Sequence, residues 1–183
     1  IIVGTGLGAS KGILIRSGEA LEQTHKTQVV ILDKTGTVTE GKPVVTDLVA
    51  EDEEELLQTA YLLEQLSEHP LAKAVCETAK KRGIVGSQYE EAQEKSICVS
   101  KDECITEFQN ISGRGLTAVD EDGRKLLAGN TALLEENGVT IEAFRAKAEQ
   151  LQAQGKTLVF VARGGQALGV IGIADTIKPD AKG

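Results

Sequence analysis

Gln28-Val29-Val30-Ile31-Leu32-Asp33-Lys34-Thr35-Gly36-Thr37-Val38-Thr39 is a short apolar run that ends on a carboxylate and continues into hydroxyls and a glycine. A continuous apolar run of this length predicts a strand buried on both faces, as in a parallel sheet, with Asp33 delivered at its C-terminal end. A carboxylate fixed there can attack a phosphorus atom, while the glycine lets backbone N–H groups turn toward the phosphate oxygens. Asp33 is therefore the candidate nucleophile. A phosphatase of this general design needs a second carboxylate two residues on as general acid and base. Thr35 stands there instead and has no useful proton chemistry, so an aspartyl phosphate on Asp33 would outlive the one formed in a phosphatase.

Outward from this motif the texture changes near Pro43. A strand-like run at 44–49 leads into a helix over 51–66, with Leu56, Ala60 and Leu63 at helical spacing behind an acidic first turn. A second helix is predicted over 70–82, with Pro70 at its first position and Gly83 as its stop. Residues 84–107 are charged and weakly periodic and read as a loop with at most short strands. Two hairpins follow, 116–120 with 124–128 and 157–162 with 167–173, separated by a helix over 141–154 that ends at Gly155. The fold class is α/β (α+β): an antiparallel sheet with a helical hairpin, inserted between a parallel-sheet start and a short tail at 175–180.

Composition bounds the function. The chain has 183 residues, 20 basic against 28 acidic side chains and a net charge of -8, so a phosphate-backbone binder is excluded and nucleic acid is not an expected partner. Cys76, Cys98 and Cys104 make an odd count without zinc spacing, which predicts neither a disulfide framework nor a metal site and suits a reduced, cytosolic setting. The opening Ile1-Ile2-Val3 is too short for a signal peptide, and no run approaches the roughly 18 apolar residues of a membrane span. Gly4, Gly6 and Gly8 lack the strand and third-glycine offset of a dinucleotide fingerprint, so that reading is rejected.

Smaller features can carry a ligand. Ser67-Glu68-His69-Pro70 puts an imidazole at a helix start, where its flat face suits a purine, and Glu64 lies five residues before His69. Gly113-Arg114-Gly115 and Gly129-Asn130 allow close approach of a ligand to the backbone. Read alone, the first is a helix cap with a surface histidine and the others are turns.

Taken in order, these residues resemble the P-type ATPases, ion pumps with a haloacid-dehalogenase-like phosphorylation domain. Asp33-Lys34-Thr35-Gly36-Thr37 looks like their phosphorylation motif, and Ser67-Glu68-His69-Pro70 resembles the His-Pro signature of the heavy-metal (P1B) branch. The resemblance implies that Glu64, His69, Gly113, Gly115, Gly129 and Asn130 bind the nucleotide. It also implies that Asp33, Thr35 and Thr37 are catalytic, with Asp33 and Thr35 forming part of a Mg2+ site. The implied boundaries are 1–42 for the first part of the phosphorylation domain, 43–174 for the nucleotide-binding domain and 175–183 for the return hinge. Residues 4–22 resemble the cytosolic exit of a membrane helix. ATP and Mg2+ are the implied cofactors, and Cu+ the implied cargo, bound by membrane helices absent from these residues. The family's Thr-Gly-Asp motif, a later Lys and the Gly-Asp-Gly-x-Asn-Asp run, whose carboxylates hold Mg2+ in relatives, are absent as well, so this piece is expected to bind ATP without turning it over. A soluble phosphatase of the same superfamily and a non-catalytic nucleotide-binding or interaction module are the alternatives.

Overall fold

Helix caps and paired strands set the boundaries of the elements. The computed structural model describes residues 2–84, 97–100 and 103–181. Its strands are β1 Thr39–Ala50, β2 Ile97–Ser100, β3 Glu103–Ile111, β4 Gly115–Asp120, β5 Lys125–Gly129, β6 Thr157–Arg163 and β7 Gln166–Ile177. Its helices are α1 Ile2–Ser10, α2 Gly18–His25, α3 Glu53–Glu64, α4 Pro70–Lys81, α5 Thr131–Glu136 and α6 Glu142–Ala153. Among the described residues the strands form one antiparallel sheet in the order β1-β7-β6-β5-β4-β3-β2.

The alternation of β6 shows how the layers are built. Val159 and Val161 face one core with Leu56, Leu63, Val75 and Ile171, which come from α3, α4 and β7. Phe160 and Ala162 face the opposite core with Leu133, Leu134 and Ala148 from α5 and α6. With both faces covered, the strand reads as a continuous apolar run even in an antiparallel sheet. Each fully buried Leu, Val or Ile contributes about 1.5–3 kcal/mol.

The helical hairpin follows its sequence pattern closely. Asp52 accepts hydrogen bonds from the N–H groups of Glu54 and Glu55 at 2.9 and 3.0 Å, which starts α3 two residues later than its acidic run begins. Gly83, at φ +70°, turns the chain out of α4 where only glycine does so without strain.

Two expectations are corrected. Residues 28–32 form no strand: Val29, Val30, Ile31 and Leu32 are 75%, 72%, 91% and 64% exposed. A strand exists through its neighbours' hydrogen bonds, and no described strand lies beside this run. Within the stretch 84–107 the described residues 97–100 and 103–107 belong to β2 and β3, while 85–96 and 101–102 lie outside the described residues; Cys104 is disulfide-bonded rather than reduced. Its register partner across β2 and β3 is position 98.

After Asp33 the chain makes one wide helical turn, Lys34–Val38, before β1. The end of β7 clasps that turn. Thr39 Oγ1 donates to Asp175 Oδ2 at 2.5 Å and accepts from the Gly36 N–H at 3.2 Å. The Lys42 N–H donates to Asp175 Oδ1 at 3.0 Å, and Lys178 Nζ donates to the Gly36 carbonyl at 2.6 Å. The Lys34–Val38 turn is thus tied to the strand that returns from the sheet.

Candidate functional site

A cavity of about 320 Å³ opens where α3 ends, α4 begins and the turns after β3 and β5 meet. That is at the small end of ligand pockets, which run from about 300 to 1,000 Å³. It brings together Glu64, His69, Gly113, Gly115, Gly129 and Asn130, the full set of nucleotide-binding candidates that the sequence motifs single out. Asp33 and Thr37 are not on its wall and are exposed beside the clasped turn.

Glu64 is the most unusual group in the site. It sits on the last turn of α3, only 7% exposed, and burial pushes its carboxyl up to about 7. Among the described residues no donor is hydrogen-bonded to it. A buried carboxyl without a donor is costly unless a ligand supplies one. Behind it, burial and the Glu64 carboxylate push the Cys76 thiol up to about 11, so Cys76 is a packing residue, not a nucleophile.

His69 is exposed and serves as the N-cap of α4. Its Nδ1 accepts the Leu71 N–H at 3.2 Å, which leaves Nε2 as the ring's N–H donor and ties the imidazole to the start of α4. Ser67 Oγ accepts the His69 N–H at 3.3 Å and steadies the same turn. The cap role and a ligand role are compatible, because the cap uses one ring nitrogen and leaves the ring face and Nε2 to a ligand.

The glycines have a requirement of their own. Gly115 and Gly129 are register partners on β4 and β5. A Cβ on Gly115, at φ +146°, would lie 2.2 Å from the Ala128 carbonyl oxygen, and one on Gly129 would lie 2.3 Å from that of Arg114. No side chain fits at either position, so the strands close to backbone contact and leave a bare floor. Asn130 caps α5: its Oδ1 accepts the Leu133 N–H at 3.1 Å and its Nδ2 donates to the Gly113 carbonyl at 3.0 Å. It joins the two turns that edge the cavity.

The sequence motifs do not reveal the apolar wall, which Leu71, Leu158 and Val159 provide. The alternation along β6 assigns Val159 a face, but nothing in the pattern says which end of a strand stays open. Asp175 and Lys178, which clasp the Asp33 loop, carry no signal in the sequence beyond membership of a tail.

Against known proteins, a model for haloacid dehalogenase-like hydrolases matches residues 27–183. A copper-exporting P-type ATPase of Vibrio cholerae serotype O1 is 42% identical over 181 residues, 98% of this chain and 18% of that protein. The crystal structure of a zinc-transporting PIB-type ATPase in the E2.Pi state superposes with a TM-score of 0.74 at 31% identity, covering 99% of this chain and 27% of that one. The catalytic domain of the CPx-ATPase CopB-B, from work on its conformational changes upon nucleotide binding, shares the fold. Its TM-score is 0.59 at 22% identity, over 91% of this chain and 51% of that one. The chain spans about a fifth of the length of the curated relatives it matches.

Proposed function

We propose, from the premise that this chain belongs to the haloacid dehalogenase-like hydrolase family, that it is the ATP-binding cytosolic portion of a heavy-metal P-type ATPase whose cargo is Cu+. The single observation that carries this reading is the convergence of Glu64, His69, Gly113, Gly115, Gly129 and Asn130 on one cavity. There the purine stacks under the His69 ring and against Leu71 and Val159. Its exocyclic amine supplies the donor that the Glu64 carboxyl lacks, and the bare backbone of Gly115 and Gly129 admits the sugar. Residues 1–42 and 175–183 are pieces of the phosphorylation domain in this reading, and 43–174 are the nucleotide-binding domain.

In the intact pump a carboxylate oxygen of Asp33 attacks the terminal phosphorus of ATP. The bond to the bridging oxygen breaks, ADP leaves, and an acyl phosphate remains on Asp33. Thr37 touches the phosphate. With Thr35 two residues on, no side chain there activates water, so the acyl phosphate persists. Mg2+ would be held by the Asp33 carboxylate and the Thr35 carbonyl, where it would neutralise charge on the phosphates. It takes six oxygen ligands, and among the described residues no group of three or more His, Cys, Asp or Glu side chains is placed to hold a metal. These residues therefore do not complete a Mg2+ site, and the chain on its own binds ATP without hydrolysing it.

Titration of the isotopically labelled chain with ATP tests the reading. Saturable NMR shifts at His69, Gly113 and Gly129 are expected, at an affinity in the range of about 1 µM to 1 mM. Unmoved resonances at His69 at saturating ATP would end it.

A further inference from the structure

The cavity has one permanent cation on its wall. Among the described residues lining it, Arg114 is the only lysine or arginine, beside the carboxyl of Glu64 and the ring of His69. The chain carries 28 acidic against 20 basic side chains, so a polyanion entering here meets an unfavourable net field that a local guanidinium offsets.

Arg114 is firmly rooted and loosely ended. Its N–H donates to the Ile111 carbonyl at 3.0 Å, and its own carbonyl accepts the Asn130 N–H at 2.9 Å. Gly113 and Gly115 on either side take the positive φ angles of the turn, which leaves the position between them without a conformational demand. The side chain is 42% exposed and ion-paired with Glu136, itself 55% exposed. An exposed pair of long side chains contributes little to stability and is readily exchanged. A guanidinium meeting phosphate oxygens gains two charge-assisted bonds in a fixed fork.

We propose that Arg114 is the residue through which this site reads the phosphates of its nucleotide. Glu136 holds the guanidinium until ligand arrives, and the phosphates draw it away on binding. The site therefore prefers nucleoside di- and triphosphates over the bare nucleoside. This rests on the nucleotide reading of the cavity and adds to it the group that discriminates by phosphate content. No covalent step is involved.

The test is calorimetric titration of adenosine and of Mg2+-free ATP, at low and at moderate salt, into the 183-residue chain and its Arg114→Ala and Glu136→Gln variants. The unaltered chain binds ATP more tightly than adenosine. Arg114→Ala lowers ATP affinity about tenfold, the scale of a lost charge-assisted contact, and leaves adenosine affinity unchanged. Glu136→Gln raises ATP affinity about two- to threefold, because a competing partner of the order of an exposed ion pair has gone. ATP affinity in Arg114→Ala equal to that of the unaltered chain overturns the proposal, as does an equal loss for ATP and adenosine, which would mark a structural role. If the unaltered chain binds neither ligand, the nucleotide reading falls with it, whereas adenosine binding with an indifferent Arg114 removes this inference alone.

Discussion

Val29-Val30-Ile31-Leu32 and Val159-Phe160-Val161-Ala162 have nearly the same composition and opposite surroundings. The first run stands in solvent, and the second is among the most enclosed stretches of the chain. Propensity does not separate them, since both are dominated by residues that favour strands. What differs is company. β6 has β5 on one edge, β7 on the other, and helices over both faces, whereas residues 28–32 have none of these among the described residues. The helices divide in the same way: α3 buries most of its length, while α1 and α2 bury no residue. An apolar run therefore states a demand for partners, and only the paired region meets it within these residues.

The strongest way to break this comparison is to truncate one side chain in each region. Ile171→Ala, in the core between β7 and α3, is expected to cost about 2–5 kcal/mol, against less than about 0.5 kcal/mol for the exposed Ile31→Ala. Urea denaturation of both variants measures this, and equal losses would mean that residues 28–32 find partners in solution.

A second substitution sharpens it within the paired region, where a well-packed element carries a badly placed charge. The folded-state pKa of Glu64 lies above its unfolded value of 4.5, at about 7. The folded chain thus holds a proton that the unfolded chain has released, and stability falls as pH rises between those two values. Glu64→Gln removes that dependence. At pH 8 the variant should be more stable by about 3 kcal/mol, since each pKa unit is worth about 1.4, yet bind ATP more weakly. A variant with the same pH profile as the unaltered chain would show that Glu64 is solvated.

The smallest effect belongs to His69, at the exposed edge of the packed region. His69→Gln loses a cap worth on the order of 1 kcal/mol and should lose more in ATP affinity than in stability. Thermal unfolding and calorimetry together check it, and a proportionate loss of both would reduce His69 to a cap.

Much of this molecule is legible because its punctuation is local. Asp52, Pro70 and Gly83 mark α3 and α4, and the turns at 121–123 and 163–165 mark the hairpins, so the pattern puts those elements within a residue or two of their observed limits, except the far end of β7, which runs four residues past the expected 173 to Ile177. The candidate site is legible for another reason: read one by one, His69 is a cap and the glycine pairs are turns, and only their order along the chain singles them out together with Glu64. What stays hidden depends on context. β3 mixes Glu103, Thr106 and Glu107 with Ile105 and Phe108, a pattern too weak to stand out from a charged loop. Helix α5 is only six residues long, and its cap Asn130 reads as a ligand contact as readily as a helix start. The disulfide at Cys104 is not revealed by the spacing of the three cysteines.

Thr39 and Ile177 face each other as the outermost partners of β1 and β7, so the chain leaves the sheet at the point where it entered. To whatever surrounds it, the whole body between those residues presents two adjacent ends, like a hairpin turn of ordinary length. The entropy of closing so long a detour is met inside the unit by its own folding, and the host inherits almost none of it. A body with this outline can be inserted into, or lifted out of, another chain without rethreading it.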